Sequence, residues 1–147
     1  MNEQTVTITS EIYGTFTVGA DSLYSFPRGL VGLPEAKEYA LIPLENTIFY
    51  ILQAASHDLS FIVIPAHLAV RDYDFHIDDD TVELLKAKKP EDISTLLIVN
   101  YVDSKLYVNL KAPVLLSHPE HLGCQFIITD KDYPIRHPLS YEEPKTC

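Results

Sequence analysis

Cysteine is scarce in this chain: two in 147 residues, Cys124 and Cys147. Two cannot build the disulfide framework that holds a small secreted domain together. Bases are also few. Eleven lysines and arginines face 21 acids, for a net charge of −10, and the one run of bases is "KAKK" at 86–89. A nucleic-acid binder carries a basic footprint that displaces counterions from phosphates, so direct nucleic-acid binding is not expected. Glycine occupies five scattered positions. "GLVG" (29–32) is too short to cradle a phosphate and follows no strand-to-helix pattern, which argues against a nucleotide site. No apolar run approaches the roughly 20 residues that cross a bilayer, so no membrane association is expected. The opening "MNEQTVTITS" lacks a basic region followed by an apolar stretch and does not read as a signal peptide. A cytoplasmic protein with reduced thiols is the expectation.

What remains is the composition of an ordinary globule, 46% apolar and 22% charged. The length predicts a single domain, here residues 1–139, followed by a polar, flexible tail at 140–147. Most of the chain reads as short strands. "TVTIT" (5–9) and "YGTFTV" (13–18) alternate, with Gly14 as a bend. "LYSF" (23–26), "YALIPL" (39–44) and "IFYILQA" (48–54) follow. "LSFIVIP" (59–65) and "STLLIVNYV" (94–102) are apolar almost throughout, as suits strands covered on both faces. "KLYVNLKAP" (105–113) and "CQFIITD" (124–130) complete the set. Asp103 and Ser104 alone separate two of these runs and predict a two-residue hairpin. The fold class is mainly β: a compact antiparallel β-barrel-like single domain with one or two short helices.

The helical signal is concentrated in "DDDTVELLKAKK" (78–89). Any of Asp78, Asp79 and Asp80 can cap it, and Asp80 with Glu83 has capping-box spacing. Val82 and Leu85 give an apolar stripe, and the lysines suit its last turn. "AHLAV" (66–70) predicts a second, shorter turn.

Catalytic motifs are missing: there is no G-x-S-x-G elbow and no H-E-x-x-H. "HPEHLGC" sets His118, His121 and Cys124 at three-residue intervals, the chemistry of zinc ligands, and would support a small metal-dependent hydrolase. The competing reading is a polar loop, with Cys124 opening a buried strand as an inert thiol. A ligand-binding β-barrel with an internal cavity is a further alternative. No cofactor is predicted.

"RDYDFHIDDD" (71–80) is the densest acidic and aromatic stretch. As a strand it would put Tyr73, Phe75 and Ile77 on one face and Asp72, Asp74 and His76 on the other. Two readings stand: a half-buried strand with a solvated face, or an interface centre of aromatics rimmed by Asp72 and Asp74.

Four fragments occur in order: "FPRGLVGLPEAKEYAL" (26–41), "FIVIPAHLAVRDYDFHI" (61–77), "YVNLKAPVLL" (107–116) and "GCQFIITDKDYPIRHPL" (123–139). Together they resemble the flagellar assembly factor FliW family, over nearly the whole chain. Leu33 stands where the family usually has phenylalanine, and Ser117 and His118 where it tends to asparagine-containing loops. The resemblance implies a non-enzymatic regulator of barrel-like β fold with two partners. It would bind flagellin and, once flagellin is exported, bind and antagonise the translational repressor CsrA, a basic RNA-binding homodimer. Asp72, Tyr73, Asp74 and Phe75 are then candidate partner contacts. So is the outer row Tyr107, Asn109 and Lys111, read as an edge strand that a partner could extend. Against that stands a plain structural role for Asn109, satisfying backbone groups in the following loop, and for "GLVG" as a turn.

Overall fold

The computed structural model describes residues 5–139. The segment expected to be a loose tail, 140–147, lies outside the described residues, as does Cys147. Strands β1 (Thr5–Ser10) and β2 (Gly14–Gly19) pair as an antiparallel hairpin apart from the main sheet. Its turn is held by Ser10, whose Oγ accepts from the Ile12 and Tyr13 amides, and Gly14 supplies the left-handed φ of 86°.

The main sheet contains β3 (Leu23–Ser25), β4 (Glu38–Pro43), β5 (Tyr50–Ala54), β6 (Ser60–Pro65), β7 (Ile93–Val102), β8 (Lys105–Val108), β9 (Val114–Ser117), β10 (Leu122–Gln125) and β11 (His137–Pro138). Seven of these close on themselves in the order β9-β10-β3-β4-β5-β6-β7, because β7 also pairs with β9. That closure removes open edges from the ring. β7 achieves it by its ten-residue length. One edge carries β6, while the other is divided, with β9 on Ile93–Leu96 and β8 on Val99–Val102. The Asp103–Ser104 hairpin is present, with both residues in the left-handed region that a two-residue primed turn demands (φ 51° and 65°).

Alternation along the strands sorts side chains into layers. Val63, Leu96, Val114 and Leu116 join Phe26, Tyr39 and Leu52 in one cluster, the ring's interior. Their neighbours point the other way. Ile64 and Leu97 meet Val108 and Leu110 in a second cluster. Leu115 meets Leu85, Cys124, Phe126 and Ile128 in a third, beneath the longer helix. Outer clusters explain why β6 and β7 are apolar on both faces. Gly123 is required inside the ring, since a Cβ there would lie 2.5 Å from the Phe26 ring. Gly29 is required in the "GLVG" turn: its φ is +65°, and a Cβ would meet the Leu33 carbonyl oxygen at 2.5 Å.

Two short α-helices are found among the described residues, α1 (Ala66–Ala69) and α2 (Asp79–Leu85). The latter begins within the expected aspartate run and ends earlier than expected. Asp78 is the cap, accepting from the Thr81 amide at 2.8 Å, so the Asp80–Glu83 pairing is not the cap in use. Lys86 turns into the left-handed region (φ 55°) and ends the helix, leaving the lysine run beyond it. Asp92 explains that exit: its Oδ2 accepts from the Lys88 and Lys89 amides and holds the chain in a tight loop.

Other boundaries also moved. The expected strand 105–113 stops at Val108, because Asn109 Oδ1 accepts from the Lys111 and Ala112 amides and folds the chain into a turn. The expected strand 124–130 is an assigned strand only to Gln125. Extended pairing continues beyond it, the Phe126 amide bonding to the Pro113 carbonyl and the Ile128 amide to that of Lys111. Proline cannot return a bond and the Lys111 amide is already engaged, so the regular ladder lapses. In "IFYILQA" the assigned strand begins only at Tyr50, although the Phe49 carbonyl already accepts from the Leu44 amide. One contact departs from an all-antiparallel barrel: β10 meets β3 in parallel at Leu122 and Ser25.

Candidate functional site

Residues 71–78 do not form a strand. They keep the predicted alternation nonetheless: Tyr73, Phe75 and Ile77 are half-buried, whereas Asp72, Asp74 and His76 are exposed. Side-chain anchors impose it rather than a neighbouring strand. The Tyr73 hydroxyl donates to the Leu110 carbonyl at 2.6 Å. Tyr133 clamps the backbone of Asp74, accepting from its amide at 3.2 Å and donating to its carbonyl at 2.8 Å. The His76 amide bonds to Asp130. Ring contacts run Tyr133–Tyr73–Phe75–Phe126, with centroids 4.9, 5.3 and 5.9 Å apart.

These anchors bring the two predicted stretches together. Tyr73 reaches the turn formed by Asn109, and Pro134 accepts from the Leu110 amide, so residues 71–78, 109–112 and 130–134 make one continuous surface. Sequence reasoning had not singled out Tyr133 and Lys131. "KDYPIRH" carries both, but nothing local ties it to Asp74, 59 residues away from Tyr133. Tyr107, Asn109 and Lys111 do not form one outer row. Only Tyr107 lies in β8, and the edge of β8 is already taken by β11, His137 opposite Val108 and Pro138 opposite Tyr107. Arg136 sits over the Tyr107 ring at 5.9 Å. Asn109 has the structural role described above. Lys111 extends its Nζ to the Ile128 carbonyl at 3.5 Å.

Beside this surface, Ala66, His67, Val70, Arg71, Asp72, Tyr73, Asp74 and Thr95 line a broad groove of about 850 Å³. Its charges are not equivalent. Asp74 pairs with Lys131 at 2.6 Å, and that bond and charge hold its carboxyl below the usual range. Asp72, by contrast, has no ion pair among the described residues and is displayed by a left-handed backbone (φ 55°). Burial pushes the Tyr73 phenol up, so it stays a hydrogen-bond donor at neutral pH.

His118, His121 and Cys124 are not brought to a common point, and no group of three or more histidine, cysteine or acidic side chains suited to a metal occurs among the described residues. His121 stacks on Tyr24, its Nδ1 3.0 Å from the Leu23 carbonyl. His118 bridges strands, with Nδ1 3.2 Å from the Tyr24 hydroxyl and Nε2 against Ser94 Oγ. Tyr24 is buried, and its hydroxyl has no other partner among the described residues. Cys124 is buried, and desolvation pushes its thiol up to about 11, which makes it inert at neutral pH.

No helix among the described residues is long and apolar enough to cross a membrane. The model of the FliW protein family matches residues 7–139. The chain is 33% identical over 135 residues to the flagellar assembly factor FliW of Anoxybacillus flavithermus, covering 90% of this chain and 93% of that protein. Its identity to the FliW of Bacillus licheniformis is 31% over 139 residues, covering 92% and 97% of the two. A crystal structure of the flagellar assembly factor FliW superposes with a TM-score of 0.86 at 28% identity, covering 94% of this chain and 99% of that one. With the barrel, the order of its elements and nearly the full length in agreement, the chain belongs to the FliW family of flagellar assembly factors.

Proposed function

We propose that this flagellar assembly factor works in the cytoplasm by docking onto other polypeptides, without catalysing a reaction. Its two partners are flagellin and, once flagellin has been exported, the translational repressor CsrA, which it captures and antagonises so that flagellin translation resumes. Family membership carries the reading. It is supported by the −10 charge, which attracts a basic RNA-binding protein at long range, and by the His118–Cys124 loop, whose groups are engaged separately. Steering of this kind raises association rate more than affinity and fades with salt, the Debye length being about 8 Å at physiological ionic strength. The proposed docking face is the groove beside Asp72 and Asp74, with Tyr73 in its wall and Phe75 packed behind Tyr73.

Co-purification of the tagged chain from cells with and without flagellin tests the switch. CsrA should be recovered only when flagellin is absent, and flagellin otherwise. Recovery of neither from either strain overturns the proposal.

A further inference from the structure

A second groove, of about 530 Å³, lies between the "GLVG" turn, α2 and residues 124–127. Two of the six exposed large hydrophobic side chains among the described residues line it together: Val31 at 56% and Ile127 at 47%. Leu84 and Phe126 extend the apolar wall beneath them. One border of this groove is the extended segment 126–128, which runs on from β10 beyond the closed ring and is paired on one side only. Phe126 and Ile128 direct their amides to the carbonyls of Pro113 and Lys111, so in extended backbone the intervening Ile127 directs its N–H and C=O to the opposite side. Neither group has a partner among the described residues. The facing border is held in place by the Val31 amide, which bonds to Gln125 Oε1 at 2.9 Å, and by the two left-handed glycines.

An exposed edge flanked by apolar side chains is the arrangement that takes up an added strand, whose main chain supplies bonds and whose alternate side chains enter the groove. Charge selects the occupant. Within the groove Arg28 faces Asp78, whose carboxylate is engaged as the helix cap. Those two charges offset each other, whereas Asp79 and Asp80, which follow Asp78 in the first turn of α2, are exposed and have no ion pair among the described residues, so the helix end bordering the groove is net negative. A second copy of the chain would bring a further −10 and be repelled. We infer that this groove is a docking site for an extended basic segment of another polypeptide, with alternating apolar residues, added as a strand along Ile127. The inference does not depend on which partners the family serves.

The probe is a fluorescein-labelled octapeptide of alternating valine and lysine, capped at both ends, titrated against the full chain by anisotropy. It should bind, and an octapeptide of valine and glutamate should bind at least about tenfold more weakly. A strand on one edge pairs through alternate residues only. Of two further peptides, N-methylated on every valine or on every lysine, one should therefore lose about tenfold. The charge-neutral double variant Val31→Ser, Ile127→Ser should lose as much, with thermal melting confirming that it is folded. In the wild-type protein the Ile127 amide should shift in nuclear magnetic resonance spectra as peptide is added. Equal binding of the acidic peptide, of both methylated peptides or of the double variant overturns the inference. So does an unmoved Ile127 amide, or sedimentation showing a wild-type dimer that Ile127→Ser abolishes.

Discussion

Tyr73 and Leu110 are joined by a 2.6 Å hydrogen bond from a phenol to a backbone carbonyl, across 37 residues of sequence. The bond fastens a stretch with no strand pairing of its own to the turn that ends β8. It is therefore a principal tether of the surface that carries Asp72 and Asp74. Tyr73→Phe keeps the ring contacts with Phe75 and Tyr133 and removes only the hydroxyl, leaving a half-buried carbonyl unsatisfied. Stability should fall by roughly 1–2 kcal/mol, read as a lower urea midpoint. Amide exchange over residues 71–76 should rise more than elsewhere, because the loss is local. Exchange unchanged in that segment would show that Tyr133 alone holds it.

The cap of α2 separates two readings of the same aspartate run. Three candidates stand in line, and only Asp78 places its carboxylate on a helix amide, that of Thr81. Asp78→Ala should cost about 1 kcal/mol, measured by chemical denaturation, and Asp80→Ala should change stability by less than half of that. A larger cost at Asp80 would restore the capping box formed with Glu83.

These examples show what was legible in the sequence. Strand periodicity locates nine of the eleven strands found among the described residues, since alternation and apolar runs are written locally. The hairpin at Asp103–Ser104 was equally local. Failures came where a distant group decided the outcome. Nothing near Asn109 announces that its side chain will take two backbone amides and end a strand that otherwise alternates well. "VLLS" (114–117) becomes a strand only because β10 and β7 flank it. The alternation in "RDYDFHID" fits a strand, yet it records anchoring by Tyr133, Leu110 and Asp130, a different cause with the same period. His118 and His121 offered metal spacing along the chain, while Tyr24 and Ser94, far away in sequence, claim His118 in space.

Cys124 lies in the cluster under α2, and burial raises its thiol from 9.0 to about 11. The folded state thus binds this proton more tightly than the unfolded chain does. Its contribution to stability is complete below about pH 9 and is lost as pH rises through about 11. Tyr24, Tyr39 and Tyr73, also raised by burial, act in the same direction at higher pH. The urea midpoint should therefore decline above pH 9, less steeply in Cys124→Ala. In a chain carrying Cys147→Ser, a thiol reagent at pH 8 should label Cys124 only as fast as the protein opens. Rapid labelling under native conditions would contradict the buried, protonated thiol.

Asp72 and Asp74 flank one groove but differ in how much field they project. Asp74 is partly neutralised by Lys131 at 2.6 Å, and reversing its charge places two bases side by side, a local disturbance as well as an electrostatic one. Asp72 has no such partner, so its reversal subtracts directly from the potential that a basic protein meets. If the repressor docks here, Asp72→Lys with Asp74→Lys should slow its association at low salt by about tenfold or less, within the one-to-three-decade range seen among variants of one interface. Asp72→Lys alone should account for most of that. The difference should shrink as salt rises toward physiological ionic strength and beyond, while dissociation changes little, because rim charges steer more than they hold. Stopped-flow association at a series of salt concentrations measures both effects. A rate for the double variant equal to wild type at low salt would move the docking face elsewhere on the molecule.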